Sequence, residues 1–254
     1  MTESSGQPGR DGPAHRQPRD AGSWAPNVRR LAVTRPGRSG ANVAGRRLTG
    51  PVQGFGQMWQ KTYSLDLGPD IPPREAIATW KAHFGEFWPP ASRFDNSLTG
   101  ISPGDVALLD VGIGGGVRLS TGVFVLYADE ESFTLMTPQG HMFAGWITFS
   151  AARAARPPRP VTTVQAQVLM RANDPIYELA MVLGGHRKED QFWIQTITAL
   201  GRFLGAPPAP VSARARCVDP RRQWRQAGQV WHNSMVRTLL RSATGPLRAR
   251  SRRA

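Results

Sequence analysis

Cysteine, lysine and long apolar stretches are the scarcest features of this chain. It contains one cysteine, Cys217, and three lysines among 254 residues. One cysteine excludes an internal disulfide and a metal centre built from cysteines. The chain also lacks a run of about 18 apolar residues that could span a membrane, and its first residues lack the apolar segment of a secretory signal. We therefore expect a cytoplasmic protein that needs no cofactor and no metal.

Acidic residues are scarce at both ends of the chain. Residues 1–50 hold nine arginines against three acidic residues, and residues 241–254 hold five arginines and no acidic residue. Residues 51–150 and 161–205 together hold nine basic and 14 acidic residues, although the whole chain carries a net charge of +14. Because a nucleic-acid backbone is bound by clustered cations, no specific nucleic-acid partner is expected. Contact of the arginine-rich ends with a membrane or a nucleic acid is a lesser alternative.

The composition of both ends predicts disorder. Residues 1–50 and 241–254 are rich in glycine, proline, serine and arginine and contain few large apolar side chains. Such segments bury too little surface to offset the entropy that ordering costs. The sequence therefore predicts one ordered domain over residues 51–240, in which residues 206–240 form an amphipathic C-terminal extension.

Strand and helix periodicities follow one another through the central region. The stretch WQKTYSLDL, residues 59–67, alternates apolar and polar side chains, with Lys61 as the exception on the apolar side. This alternation is typical of a half-buried strand. Residues 73–88 follow a helical period that ends at Pro89. Five further β-rich runs, separated by turn-like stretches, lie within residues 106–111, 117–127, 132–138, 141–151 and 161–172.

The last of these runs, VTTVQAQVLMRA, has two faces of different character. One face carries Val164, Ala166, Val168 and Met170, and the other carries Gln165, Gln167, Leu169 and Arg171. If the second face lies under a covering helix, it supplies polar contacts to a cavity. If it lies in solvent, it is an ordinary outer surface, which the pattern favours.

A long helix with a break near its middle is predicted over residues 174–204. Asp174 can cap it, and Pro175 suits its first turn. Gly184 and Gly185 interrupt the apolar stripe, and the charged stretch HRKED follows at residues 186–190. His186 and an aspartate four residues later could share a face, but no third metal ligand lies nearby. The pattern favours a helix restart with solvated charges over a ligand contact at a pocket rim.

The order of elements predicts an α+β fold. A curved antiparallel sheet of about six to seven strands is covered by the long, broken C-terminal helix. This order resembles the helix-grip fold of the START-like, polyketide cyclase-like (SRPBCC) superfamily. The stretches GPVQGFGQMWQKTY, LMTPQGHMFAGWITFSA, RANDPIYELAMVLGGHRKEDQFW and CVDPRRQW also resemble an uncharacterised bacterial family within or near that group. The resemblance covers roughly residues 51–240.

A sheet and a helix packed in this way tend to leave a cavity between them, and the leading prediction is a protein that holds an apolar, lipid-like or aromatic molecule there. The predicted lining residues are Thr121, Tyr127, His141, Trp146, Arg171, Tyr177 and Glu178. The alternative is an enzyme of the cyclase or hydratase type, in which His141 or Glu178 acts as base and Arg171 stabilises an enolate. An enzyme needs two titratable groups within hydrogen-bonding distance inside the cavity, whereas a carrier does not. The sequence favours the binding protein.

Residues 220–240, PRRQWRQAGQVWHNSMVRTLL, combine tryptophans with a basic side. Such a segment either docks its apolar side on its own domain or lies on an anionic membrane surface. Docking is the favoured placement, and a weak membrane contact is the alternative.

Overall fold

The computed structural model describes most of the chain between residues 21 and 238. The described ranges are 21–33, 40–95, 100–114, 117–155 and 159–238. The predicted C-terminal tail, residues 241–254, lies outside them, as do the first 20 residues of the predicted N-terminal tail. The domain boundaries at residues 51 and 240 therefore stay a prediction.

In the part of the chain that the structure describes, eight antiparallel strands form one sheet, in the spatial order β2-β3-β4-β5-β6-β7-β1-β8. In chain order the strands are β1 (Met58–Gly68), β2 (Arg93–Asp95), β3 (Val106–Gly114), β4 (Val117–Ala128), β5 (Ser132–Met136), β6 (Phe143–Ala154), β7 (Val161–Ala172) and β8 (Ser212–Asp219). Six of them confirm the predicted runs. The other two, β2 and β8, lie at the edges of the sheet. Edge strands bury little surface and carry a weak hydrophobic pattern, which is why the sequence did not indicate them.

Within the described ranges, four α-helices accompany the sheet: α1 (Gly40–Val43), α2 (Pro73–Ala82), α3 (Pro175–Ala180) and α4 (His186–Phe203). A 3-10 turn at Phe84–Phe87 follows α2, and a longer 3-10 helix spans Trp224–His232. Both α2 and α4 pack on the same apolar side of the sheet. The α+β, helix-grip prediction is thus confirmed. No helix within the described ranges is both long enough and apolar enough to cross a bilayer.

The predicted break in the long helix is also confirmed. Asp174 caps α3 by accepting hydrogen bonds from the backbone N–H groups of Ile176 and Tyr177. A π-helical segment, Met181–Gly185, separates α3 from α4. Within it Gly184 has a φ of +111°, which a residue with a side chain rarely adopts. The chain therefore changes direction here before α4 begins.

Aromatic rings fill much of the space between the sheet and the covering helices. The Trp80 ring of α2 is fully buried, 4.9 Å from the Phe149 ring and 6.1 Å from the Phe133 ring. On α4, Trp193 lies 5.5 Å from the same Phe149 ring. Side chains pack closely in this part of the interior. The predicted cavity between the sheet and the long helix stays a prediction.

The alternation along β7 resolves which of its faces is covered. Val164, Ala166, Val168 and Met170 are all buried in this core. Gln165, Gln167 and Leu169 are only half-buried and point to the opposite face of the sheet. The favoured outer-surface interpretation therefore holds for these three residues. Arg171 is the exception on that face, because the loops at Gly56 and Arg221 bury it.

Part of the predicted N-terminal tail packs on the domain. Residues 21–33 and 40–50 are described, and Leu31 and Val43 form a small second core with Phe124 of β4. Asn42 is buried and donates a hydrogen bond to the Ser120 carbonyl oxygen at 2.8 Å. The expectation of disorder does not hold for these two ranges, because a few apolar side chains and buried hydrogen bonds suffice to dock a short segment on a preformed sheet.

Candidate functional site

A buried lysine lies beneath the start of α4. Lys61 sits at an inward-facing position of β1, and its side chain is 2% exposed. Its ammonium group donates hydrogen bonds to Glu189 Oε2 and to Asp190 Oδ1, both at 2.8 Å. It also lies 3.3 Å from the carbonyl oxygen of His186. One cation is therefore shared by two carboxylates that follow the helix break.

The spacing of α4 explains why these groups meet. His186, Glu189 and Asp190 are separated by three and four positions, so they share one helical face. The break at Gly184 allows α4 to start directly over β1. Tyr63, two residues after Lys61, points the same way and donates its hydroxyl to Asp190 at 2.7 Å. We call Lys61, Tyr63, His186, Glu189 and Asp190 the helix-break cluster.

The pKa values of the two carboxyl groups in the helix-break cluster are shifted in opposite directions. Burial raises the pKa of Glu189 to about 7, and the nearby charge of Asp190 adds to this rise while Lys61 opposes it. Partial burial also acts to raise the pKa of Asp190, but hydrogen bonds from Lys61 and Tyr63 outweigh it and lower that pKa. Burial raises the pKa of Tyr63, and burial together with Lys61 lowers that of His186. Burial thus brings the pKa of Glu189 close to neutral pH, whereas its neighbours keep the pKa of Asp190 below the ordinary value.

Two polar atoms of the helix-break cluster are buried without a hydrogen-bond partner. They are Glu189 Oε1 and His186 Nδ1. Buried polar atoms are rarely left unsatisfied, so both of these atoms need an explanation. The Trp59 ring lies 4.9 Å from the His186 ring and supplies an apolar neighbour. The arrangement can accept a hydrogen bond from a bound molecule at one carboxylate oxygen.

The interpretation of the charged stretch as solvated is wrong for Glu189, which is 8% exposed. Two signals in the sequence pointed to the buried site. Lys61 interrupts the apolar side of a strand, and the acidic residues stand at the start of a helix that crosses that strand. A charge on an apolar face needs a partner, and the long covering helix α4 supplies it.

Two of the predicted lining residues are brought together elsewhere. Arg171 donates to the Gly56 carbonyl oxygen and to Asp219, each at 2.5 Å. Glu178 accepts a hydrogen bond from Arg222 at 2.9 Å. A Cβ atom on Gly56 would lie 2.1 Å from Glu178 Oε2, so both side chains pack around this glycine. The charges of Arg171 and Glu178 are thus paired with Asp219 and Arg222 of the same chain.

Tyr177 and His141 make local hydrogen bonds. The Tyr177 hydroxyl accepts from the backbone N–H of Met235 at 3.1 Å. His141 Nδ1 accepts from the backbone N–H of Phe143 at 3.0 Å, and burial lowers the His141 pKa to about 4. A histidine of this kind is neutral at physiological pH and holds the turn that precedes β6.

The remaining predicted residues lie apart from one another. Thr121 occupies the same side of β4 as the core residue Leu119, and its hydroxyl is buried without a partner. Tyr127 contacts the ring of Trp24 in the N-terminal segment at 4.8 Å. Trp146 lies on the outer face of the sheet. The seven residues therefore do not line one shared space, and their role as lining residues stays a prediction.

Grooves on the described part of the surface include one on the outer face of the sheet and one beside α2. The first, on the outer face of the sheet, has a volume of about 260 Å³ and is lined by Met58, Gln60, Trp146, Gln167, Leu169 and Val218. The second has a similar volume of about 260 Å³ and is lined by Arg74, Ala78, Lys81 and Glu130. Among the residues that the structure describes, no group of three histidine, cysteine, aspartate or glutamate side chains could hold a metal ion.

The titration of Glu189 gives a testable pH dependence. Its pKa rises from an ordinary 4.5 to about 7 on folding, so the folded state is favoured most when this group is protonated, and that contribution is lost as pH rises through about 7. Between pH 4.5 and about 7, we expect the free energy of unfolding of the wild type to decrease relative to that of Glu189→Gln. Urea unfolding at a series of pH values measures this difference. Exposed Glu75→Gln is the control and should show no such trend. A wild type that gains relative stability as pH rises would show that attraction to Lys61 outweighs burial.

Comparisons with known proteins bear on the fold. No protein-family model matches the sequence, and no curated protein matches it. Among solved structures, Ara h 8.0201 is 14% identical, with 57% of this chain and 97% of that chain covered and a TM-score of 0.39. The di-domain ARO/CYC StfQ from the steffimycin biosynthetic pathway is 11% identical, with 59% of this chain and 51% of that chain covered and a TM-score of 0.44.

An additional similar structure is protein Ms6760 from Mycobacterium smegmatis, which is 10% identical, with 57% of this chain and 90% of that chain covered and a TM-score of 0.41. At these identities the likeness concerns the fold alone. The antiparallel sheet with its long, broken C-terminal helix is the helix-grip architecture, and the strand order and helix positions described above define it.

Proposed function

We propose that the protein binds a small, largely apolar molecule that carries a hydrogen-bond donor, and that the donor group contacts the helix-break cluster. The observation that supports this most directly is the buried, unpartnered Oε1 of Glu189 beside the ammonium group of Lys61. With its pKa raised to about 7, Glu189 is partly ionised at neutral pH. In the ionised form its free oxygen accepts hydrogen bonds and donates none. The polar group of the molecule is therefore a hydroxyl or an amine.

The apolar part of the molecule would lie against aromatic side chains near the start of α4. Trp59 is half-buried beside His186, and the half-buried rings of Phe192 and Trp193 follow on α4. Ligand sites of this kind are mostly apolar, with a few polar groups that fix orientation.

The test begins with purification under native conditions and mass spectrometry of any molecule released on denaturation. We expect the wild type to carry a hydroxyl- or amine-bearing apolar molecule that Glu189→Gln loses, while the exposed control Glu75→Gln keeps it. Calorimetry with phenol and naphthol, each against its methyl ether, then measures the role of the donor. A lost hydrogen bond to a charged group costs about 1.5–3 kcal/mol, or about tenfold to 150-fold in affinity.

The expected pattern is that the wild type prefers each hydroxyl compound to its ether, and that Glu189→Gln reduces this preference. A wild type that carries no molecule and binds none of the four compounds would contradict the proposal. Equal affinity for the hydroxyl compounds and the ethers would place the ligand away from Glu189.

An enzyme of the cyclase or hydratase type is the second candidate. The observation that favours it is the convergence of titratable groups, since Glu189 and Asp190 lie 2.8 Å from Lys61 and Asp190 lies 2.7 Å from the Tyr63 hydroxyl. In this version Glu189 takes the role of base in place of His141 or Glu178. Conversion of the co-purified molecule by the wild type, but not by Glu189→Gln, would favour the enzyme over the carrier.

A further inference from the structure

Exposed apolar side chains are concentrated on one part of the surface. Ten large apolar residues are exposed within the described ranges. Six of them lie on α3, on the π-helical segment or on the Trp224–His232 helix: Ile176, Leu179, Val182, Leu183, Trp224 and Trp231. Leu183 is 77% exposed and Trp231 is 82% exposed. Such a concentration of apolar surface marks an interaction site more often than chance exposure.

The segments that carry these residues lie side by side. Glu178 of α3 accepts a hydrogen bond from Arg222, which directly precedes the 3-10 helix region, at 2.9 Å. At the other end of that helix, Asn233 donates to Asp174 at 2.8 Å. The two elements are therefore tied at both ends and lie next to each other, and we treat the exposed side chains that they carry as one candidate surface. We call this the α3–Trp231 surface.

The charges on the α3–Trp231 surface have one sign. Its exposed charged residues are Arg187, Lys188, Arg221, Arg222 and Arg225. The acidic residues within 173–190 and 220–238, both described in full, are Asp174, Glu178, Glu189 and Asp190, and none of them is in the exposed class. Glu178 is paired with Arg222, Asp219 just before this range is paired with Arg221, and Glu189 and Asp190 are paired with Lys61. Arg187, Lys188 and Arg225 are exposed in addition to these pairs. The net field of this surface is positive.

We propose that the α3–Trp231 surface docks on an anionic lipid membrane. Tryptophan and leucine side chains enter the interfacial layer of a bilayer, while arginine and lysine contact anionic headgroups. Tryptophan in particular favours the boundary between water and lipid, because its ring is apolar and its N–H group is polar. The combination of apolar tips with a wholly basic set of exposed charges fits a lipid surface.

The α3–Trp231 surface lies next to the helix-break cluster. Leu183 precedes His186 by one turn of chain, so the docking residues adjoin the helix-break cluster. A bilayer in contact with α3 would lie next to the proposed ligand-binding groups. Docking does not depend on that ligand, however, and the two can be tested separately.

The test uses the full-length protein and sedimentation with vesicles of phosphatidylcholine, with or without phosphatidylserine. We expect binding to the anionic vesicles and little binding to phosphatidylcholine alone. The double variant Leu183→Ser with Trp231→Ser should reduce the partition coefficient by about tenfold or more, because it removes the two most exposed apolar side chains. Phe203→Ser, which removes an exposed apolar ring at the far end of α4, is the matched control and should bind as the wild type does.

The charge contribution is measured with Arg187→Gln and Arg225→Gln, each of which should lower partitioning by about fivefold. Arg74→Gln, an exposed arginine on α2, is the control for loss of one charge. The arginine-rich ends of the chain are present in every variant. Undiminished binding by the double variant would therefore assign the membrane contact to those ends and overturn the proposal. A dimer that dissociates in the double variant, without vesicle binding by the wild type, would also overturn it.

Discussion

Replacing Lys61 with methionine is expected to lower the free energy of unfolding by about 3–5 kcal/mol. The substitution keeps most of the length of the side chain but removes the cation that Glu189 and Asp190 share. Glu189 is almost fully buried and would be left beside a second carboxylate without a counter-charge. The loss of a partner from a buried ion pair is costly, because the remaining carboxyl group must either keep an unsolvated charge or take up a proton. Urea unfolding at neutral pH measures the effect.

The matched control is Lys188→Met, which removes an exposed lysine from α4, the helix that carries Glu189 and Asp190. It should change the free energy of unfolding by no more than about 0.5 kcal/mol. Lowering the pH should reduce the cost of the Lys61 substitution, because protonation neutralises the carboxyl groups that it leaves unpaired. Adding Glu189→Gln to Lys61→Met should recover part of the loss for the same reason. If Lys61→Met and Lys188→Met have equal effects, the helix-break cluster is not the buried ion network described here.

Replacing Trp80 with alanine is expected to destabilise the fold by about 3–5 kcal/mol. The Trp80 side chain has no exposed surface and contacts the rings of Phe149 and Phe133, with Phe84 also packed against both of these. Its removal would leave a cavity among rings held rigidly by the sheet, so the surroundings can collapse only in part. Thermal or urea unfolding at pH 7 measures the loss.

Trp231→Ala is the control for this second prediction, because it removes the same kind of side chain from a position that is 82% exposed. It should change stability by no more than about 0.5 kcal/mol. A small effect at Trp80 would mean that the region under α2 is loosely packed and that the predicted ligand cavity extends there. A large loss would show that side chains fill the region under α2.

The sequence predicted the fold well because its strongest signals come from buried faces. The alternation in β1 and β7 and the glycine pair in the long helix reflect burial and backbone geometry directly. The strand β8 was missed because its sequence, SARARCVD, places arginines at an exposed sheet edge. The docking of residues 21–33 was missed because it depends on tertiary contacts with β4 that leave no local periodicity.

The candidate site was harder to predict for a different reason. Each of its charged residues could be explained by its local sequence alone. Lys61 could be an exception in the alternation of a strand, and Glu189 could be an acidic residue that favours the first turn of a helix. Only the crossing of α4 over β1 brings them together across more than half of the chain. The local spacing of His186, Glu189 and Asp190 was visible, but their common partner was not. A lysine on the apolar face of a strand needs an acidic partner on the element that covers that face, and this rule predicts the pair of Lys61 with Glu189.

The position of β1 in the sheet has a consequence for how the protein is made. This strand is synthesised first, yet its neighbours are β7 and β8, the last two strands of the sheet. Trp59 pairs with Met170 on one side and with Cys217 on the other. Pairings between such distant positions form slowly, because a long loop must close before they contribute stability. A chain on the ribosome therefore carries β1 with both edges unpaired for most of its synthesis, and the sheet closes only when the last strand has emerged.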